Sequence, residues 1–162
     1  MSSSTPCPVP ENLPGQDAEN YLLHRPPMLL VDRIVAYSEE SAKCEFSVSP
    51  GNAFFEQDAG VPAYVGIEYM AQCIAVHAGV RAYLRGRPPP IGFLLGSRQL
   101  ELFDDYMVEQ RLYIASCRQV LRGGDGMGSF DCKIVSDGQT VASARLAVLE
   151  RHDEEAFGLQ LS

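Results

Sequence analysis

The sequence predicts an α+β domain in which a curved antiparallel sheet wraps one long central helix, and three observations carry that prediction. Residues 43–49 alternate strictly, with Cys44, Phe46 and Val48 on one face and Lys43, Glu45 and Ser47 on the other, as in a half-buried strand. Residues 61–85 are apolar or small at nearly every position, so a helix there has no broad polar face and must be enclosed by other structure. Four β-rich runs follow at 91–102, 107–121, 127–136 and 139–150, enough strand to do the enclosing.

Taken in order, residues 1–18 are rich in Ser, Pro and Gly without any period and read as a mobile leader. The first strand is expected at 28–37, joined to the second by a hairpin over 38–41, and Ser49-Pro-Gly-Asn52 then breaks the pattern. Pro62 suits a first helical turn, where its missing N–H and fixed φ cost nothing, so the helix is expected to begin there. Glu68, Gln72 and His77 inside the apolar stretch argue against a membrane span. Pro88, Pro89 and Pro90 stop the helix. Arg122-Gly-Gly-Asp-Gly126 and Asp137-Gly138 supply the positive-φ positions of tight hairpins, which suggests a four-strand antiparallel meander. One domain over 19–150 and a charged tail over 151–162 complete the division.

Composition narrows the function. The 162 residues carry 13 Lys and Arg against 21 Asp and Glu, a net charge of −8, which disfavours nucleic acid and anionic lipid as partners. The opening residues lack the basic and apolar regions of a secretory signal, and the five cysteines are scattered without a Cys-x-x-Cys pair. A reducing cytoplasm, no disulfide framework, no metal and no cofactor are the expectations. No phosphate-binding glycine loop or nucleophile elbow is present: Gly123-Gly-Asp-Gly126 lies between strands.

Glu68 is the residue that most needs an explanation, because a carboxylate on a wrapped helix is costly unless paired, hydrogen-bonded or protonated. Burial raises a carboxyl pKa toward the value a general acid needs. The alternative is a Glu held by a local hydrogen-bond network with Gln72, which shares its stripe of the helix. Of the three histidines, His77 lies on roughly the opposite side of the helix and reads as packing, and His152 lies in the charged tail. His24 precedes Arg25-Pro26-Pro27, whose prolines stiffen the loop, and is the better partner for Glu68. At the helix start the amides of Ala63 and Tyr64 are expected to be free and to polarise an acyl carbonyl.

These residues resemble a known family. Leu22-Leu-His-Arg-Pro-Pro-Met-Leu-Leu-Val-Asp-Arg33 is similar to the leader of bacterial 3-hydroxyacyl-acyl-carrier-protein dehydratases. Phe54-Phe55, and Val61-Pro62 through Gly66-Ile-Glu-Tyr-Met-Ala-Gln72, resemble the segment entering their central helix, and the likeness extends over residues 21–150. Ile91-Gly-Phe-Leu-Leu-Gly-Ser-Arg98 resembles the branch associated with aryl polyene and related specialised lipid pathways.

The resemblance implies a hot dog fold, a dimer with itself or with another hot dog subunit, and loss of water from a 3-hydroxyacyl thioester held on an acyl carrier protein. It implies Glu68 as the acidic residue acting on the β-hydroxyl and the Ala63 amide as the oxyanion donor, with Tyr64, Gly66 and Gln72 beside the substrate. The family's base lies in a His-Phe-Pro-Gly loop, whereas Phe54-Phe-Glu-Gln-Asp-Ala-Gly60 has no histidine. His24 is expected to take that role, with Asp58 a lesser candidate. A hot dog thioesterase, with Glu68 activating water, and a non-catalytic partner subunit are the competing readings. An acyl chain is expected among Met70, Ile74 and Phe93, and a carrier protein would meet Arg81, Arg85, Arg87, Arg25 or Arg98.

Overall fold

The computed structural model describes residues 10, 11, 13 and 16–152. Strands β1 (Arg33–Tyr37) and β2 (Ser41–Phe46) form the expected hairpin, closed by Ser38 N–H donating to the Ser41 carbonyl at 2.8 Å. The alternation of the second strand is obeyed: Cys44 and Phe46 are fully buried, and Val48, just past the strand, is 3% exposed. β1 is shorter than expected, because the backbone of Met28, Leu30 and Val31 is held by the Gln72 side chain on the helix.

Val61–Pro62 is a two-residue strand, β3, which pairs with β5 (Tyr106–Met107). A single 3-10 turn, Ala63–Val65, separates it from helix α1 (Gly66–Leu84). The helix therefore starts later than Pro62 suggested, and Pro62 sits where an edge strand tolerates its missing N–H.

After the helix come β4 (Ile91–Leu102), β6 (Tyr113–Arg122), β7 (Met127–Ser136) and β8 (Gln139–Arg151). They do not form a four-strand meander. The sheet order is β1-β2-β6-β7-β8-β4, so β6, β7 and β8 run as a meander while β4 crosses to the far edge and pairs with β8. The β7–β8 turn is as expected, with Asp137 and Gly138 at φ 51° and 75°.

The sheet curves around α1, and Tyr69 on the helix stacks on Phe46 with ring centroids 4.1 Å apart, while Phe46 stacks on Tyr113 at 5.4 Å. All three rings are fully buried, stabilising the wrap by roughly 1.5–3 kcal/mol each. Met70, Cys73, Val76 and Val80 extend the same core, so Met70 is a packing residue.

The end of the expected leader is docked. Asp17 bridges to Arg33, Ala18 is fully buried, and the Ala18 N–H donates to the Asp32 carbonyl at 2.9 Å. Residues 1–9, 12, 14 and 15 of the expected leader, and residues 153–162 of the expected tail, lie outside the described residues. Among the described residues no helix is long and apolar enough to cross a membrane.

Candidate active site

A cavity of about 810 Å³ opens along one side of α1, between the helix and the ends of β4, β7 and β8, and both His24 and Glu68 line it. The loop that carries His24 is seated on the helix at two points. Gln72, almost wholly buried, accepts from Leu30 N–H at 2.8 Å and from Val31 N–H at 3.4 Å, and donates through Nε2 to the Met28 carbonyl at 2.7 Å. Farther along, Gly79 leaves room for Tyr21: a Cβ there would stand 1.6 Å from the Tyr21 carbonyl oxygen. Between these points Arg25 folds back and donates to the carbonyls of Leu22 at 2.9 Å and His24 at 2.7 Å.

This arrangement changes the roles the sequence suggested. Gln72 lines the cavity, but its side-chain hydrogen bonds go to the backbone of 28–31, so it clamps the loop and does not hold Glu68. Gly66 is a close-packing position, where a Cβ would meet Ile134 at 3.0 Å, and it does not line the cavity. The Ala63 amide is not free: it donates to the Asp105 carbonyl at 2.9 Å, because β3 and the turn after it are tied to the 105–107 segment. Tyr64 faces a separate hollow with Leu102, Phe103, Asp104 and Asp105. Neither Ala63 nor Tyr64 reaches the cavity of His24 and Glu68, so the helix-start amides are not assigned to the carbonyl there.

Asp58 is exposed in a left-handed turn at φ 65° and lies off the cavity, which removes it as a competing base. His77 is buried as expected of a packing residue. Its Nε2 faces the carbonyls of Ser38 and Glu39, both at 3.0 Å; since carbonyls only accept, this nitrogen carries the proton. His152 pairs with Glu150 at 3.6 Å.

Electrostatically, the protein around His24 removes water from one side and holds its pKa below the ordinary value of 6.5, while the nearby Glu68 charge pulls the other way. The imidazole is thus neutral near pH 7, the form that accepts a proton. Glu68 is half-buried at the cavity wall, so the complete enclosure the sequence suggested is not met. Beyond the pair the wall turns apolar, with Ala71, Ile74, Ala75, Phe93 and Val148. Ile74 and Phe93 are thus where an acyl chain was expected to lie. Among the described residues no cluster of side chains has the makings of a metal site.

The arginines divide differently from the expectation of one basic patch. Arg25 is committed to its own loop, Arg85 pairs with Glu39 at 3.7 Å, and Arg81 is 7% exposed and lines the cavity.

Comparison with known proteins agrees with this architecture. A chain of the dehydratase heterocomplex ApeI:P from Xenorhabdus doucetiae superposes with a TM-score of 0.81 at 25% identity, over 91% of this chain and 99% of that one. AziG of S. sahachiroi superposes at 0.57 and 13% identity, over 74% of this chain and 90% of that one. A hypothetical thioesterase with coenzyme A from Streptococcus pneumoniae superposes at 0.58 and 12% identity, over 74% and 85%. The last two are likenesses of fold alone, and the fold they share with this chain is the hot dog. A family model described as ApeP dehydratase matches residues 16–158, and the chain belongs to that ApeP-like dehydratase family.

Proposed function

We propose that this protein removes water from a 3-hydroxyacyl thioester carried on an acyl carrier protein, leaving the 2-enoyl thioester. The observation that carries the reading is the presence of a histidine and a carboxyl group, His24 and Glu68, on the wall of one cavity that continues into an apolar slot. In the proposed step His24 takes the α-proton and the C–H electron pair becomes the new C=C bond. The β C–O bond breaks, and the leaving oxygen takes a proton from Glu68 and departs as water. The proton on His24 then returns to Glu68, directly or through solvent, which closes the cycle with no other reactant.

The likeness of 91–98 to the aryl polyene branch supports a place for this reaction in building fatty-acid-like or aryl polyene chains, in the cytoplasm. Assembly with a second hot dog subunit, a copy of this chain or a different one, is part of the proposal. β4 lies at the sheet edge with Phe93, Leu94, Leu95, Leu100 and Leu102 all at least 38% exposed, an apolar edge of the kind that a protein covers.

The test is a mass-spectrometric assay of a 3-hydroxyacyl carrier protein with the wild type, His24→Ala and Glu68→Gln. Loss of 18 mass units from the substrate, abolished in both variants while each keeps its fold, is the expected result. Release of free thiol would assign a thioesterase instead. No product from the pure chain, with activity appearing when a second hot dog subunit is added, would assign an accessory role.

A further inference from the structure

The far end of the cavity holds a cation that makes no direct ion pair among the described residues. Arg81 is 7% exposed and lines the cavity, and among the described residues its guanidinium has no ion pair and no hydrogen-bond partner. A guanidinium carries five donors and no acceptor, and those of Arg81 open on the cavity rather than on a protein acceptor. Glu39, which acts on Tyr37 and His77 as Arg81 does, pairs with Arg85 at 3.7 Å; of the carboxylates that line the cavity besides Glu68, Glu150 pairs with His152 at 3.6 Å and Asp125 accepts from the Met127 N–H at 3.1 Å.

Two further polar groups nearby are also unmatched. The Tyr37 hydroxyl is buried without a partner, its ring packing on His77 with centroids 5.4 Å apart, and Arg81 is among the charges that act on it. Gln119 lines the cavity with a carboxamide that bonds to no described residue, and it lies over Gly128, where a Cβ would come within 3.2 Å of its nitrogen. An unpaired arginine and a free carboxamide on the wall of one cavity, with the sealed Tyr37 hydroxyl behind it and off that wall, make a site for a group that accepts hydrogen bonds.

Thirteen residues separate Glu68 from Arg81, so the two lie about 20 Å apart along the helix axis. Ala71, Ala75 and Ala78 keep the wall low between them. We infer that the Arg81 end binds an acceptor oxygen, a carboxylate or a carbonyl, at the far end of the acyl chain whose thioester end lies at His24 and Glu68. The inference rests on the proposed thioester substrate, and it makes the protein selective for chains that carry oxygen at the distal end over plain alkyl chains.

Binding tests it without turnover. Two saturated acyl pantetheine thioesters, matched in length to cover the span and ending in a methyl group or a carboxylate, are titrated by calorimetry into wild type, Arg81→Met and Gln119→Leu. The wild type is expected to bind the carboxylate-ended ligand at least tenfold more tightly. Arg81→Met should abolish that preference while leaving affinity for the methyl-ended ligand within twofold, and Gln119→Leu should reduce it. Equal binding by the wild type overturns the inference, including the case where a partner's carboxylate fills the site. So does a preference that survives in Arg81→Met; if that variant does not fold, the wild-type and Gln119→Leu titrations decide. Dehydration of a methyl-ended 3-hydroxyacyl substrate, measured in parallel, reads the reaction separately. A protein that dehydrates without preference keeps the reaction and lacks the site; one that binds with preference and does not dehydrate keeps the site and loses the reaction.

Discussion

Adding one methyl group at Gly79 opposes two effects whose sizes decide the outcome. In an exposed helix interior, Gly→Ala stabilises by about 1 kcal/mol through helix propensity. Here the new Cβ would stand 1.6 Å from the Tyr21 carbonyl oxygen and 2.6 Å from its carbon, where ordinary contact begins at 3.4 Å. Both are backbone atoms, so no rotamer change relieves the clash, and the chain at Tyr21 must retreat by about 1.8 Å. Tyr21 is 1% exposed and its ring meets Tyr83 edge-on at 6.1 Å, so the retreat opens packing as well. Overpacking of this kind costs about 1–3 kcal/mol or more. The net expectation for Gly79→Ala is a loss of about 2 kcal/mol, or roughly 4–8 °C in melting temperature. Function should suffer more than stability, because Tyr21 lies three residues before His24 on the loop the helix seats. A catalytic group misplaced by about 1 Å loses on the order of 100-fold in rate. Calorimetric melting together with kcat/KM for dehydration measures both. A variant that melts above the wild type and turns over at the wild-type rate would refute the argument that Gly79 seats the His24 loop.

Gln72→Leu removes the acceptor from the buried Leu30 N–H and the donor from the Met28 carbonyl, and is expected to cost about 2–4 kcal/mol in denaturant unfolding and more than tenfold in turnover. Wild-type turnover in that variant would show that the clamp does not place His24. Because burial holds His24 below 6.5 and the neutral ring is the working form, kcat/KM should rise with pH along a limb lying below pH 6.5 and be flat above it as far as this group decides. An acid limb centred above 6.5 would remove His24 as the base. His77 is also held below 6.5 by burial, so on acidification the unfolded chain takes up its proton first. Stability is therefore complete above pH 6.5 and falls as pH drops toward the folded-state value, which urea midpoints at pH 8 and pH 5.5 compare; a higher midpoint at pH 5.5 contradicts the sign. Leu95→Lys, on the exposed face of the β4 edge, should shift sedimentation toward the single chain if that edge carries the partner subunit, and an unchanged profile moves the interface elsewhere.

What the sequence made legible is what short-range periodicity records. The alternation at Cys44, Phe46 and Val48 and the turn residues Asp137 and Gly138 each report a local backbone state, and each is found as read. The placement of β4 beside β8 is a long-range pairing, and no run of neighbouring residues encodes it. The bond of the Ala63 amide is hidden for the same reason, since its acceptor, Asp105, lies on a segment far along the chain. The site shows the same limit. A helical projection puts Glu68 and Arg81 on different faces, and from that alone they belong to different surroundings. The cavity crosses the helix obliquely, passing from Glu68 by Ala71, Ala75 and Ala78 to Arg81, so both line it. The sequence signal that was present is subtler: a run of alanines, with one glycine, beside two charged residues on a helix otherwise built of larger apolar groups. Small side chains leave volume unfilled, and a helix in a closely packed domain keeps such a stripe where something other than its own sheet lies against it.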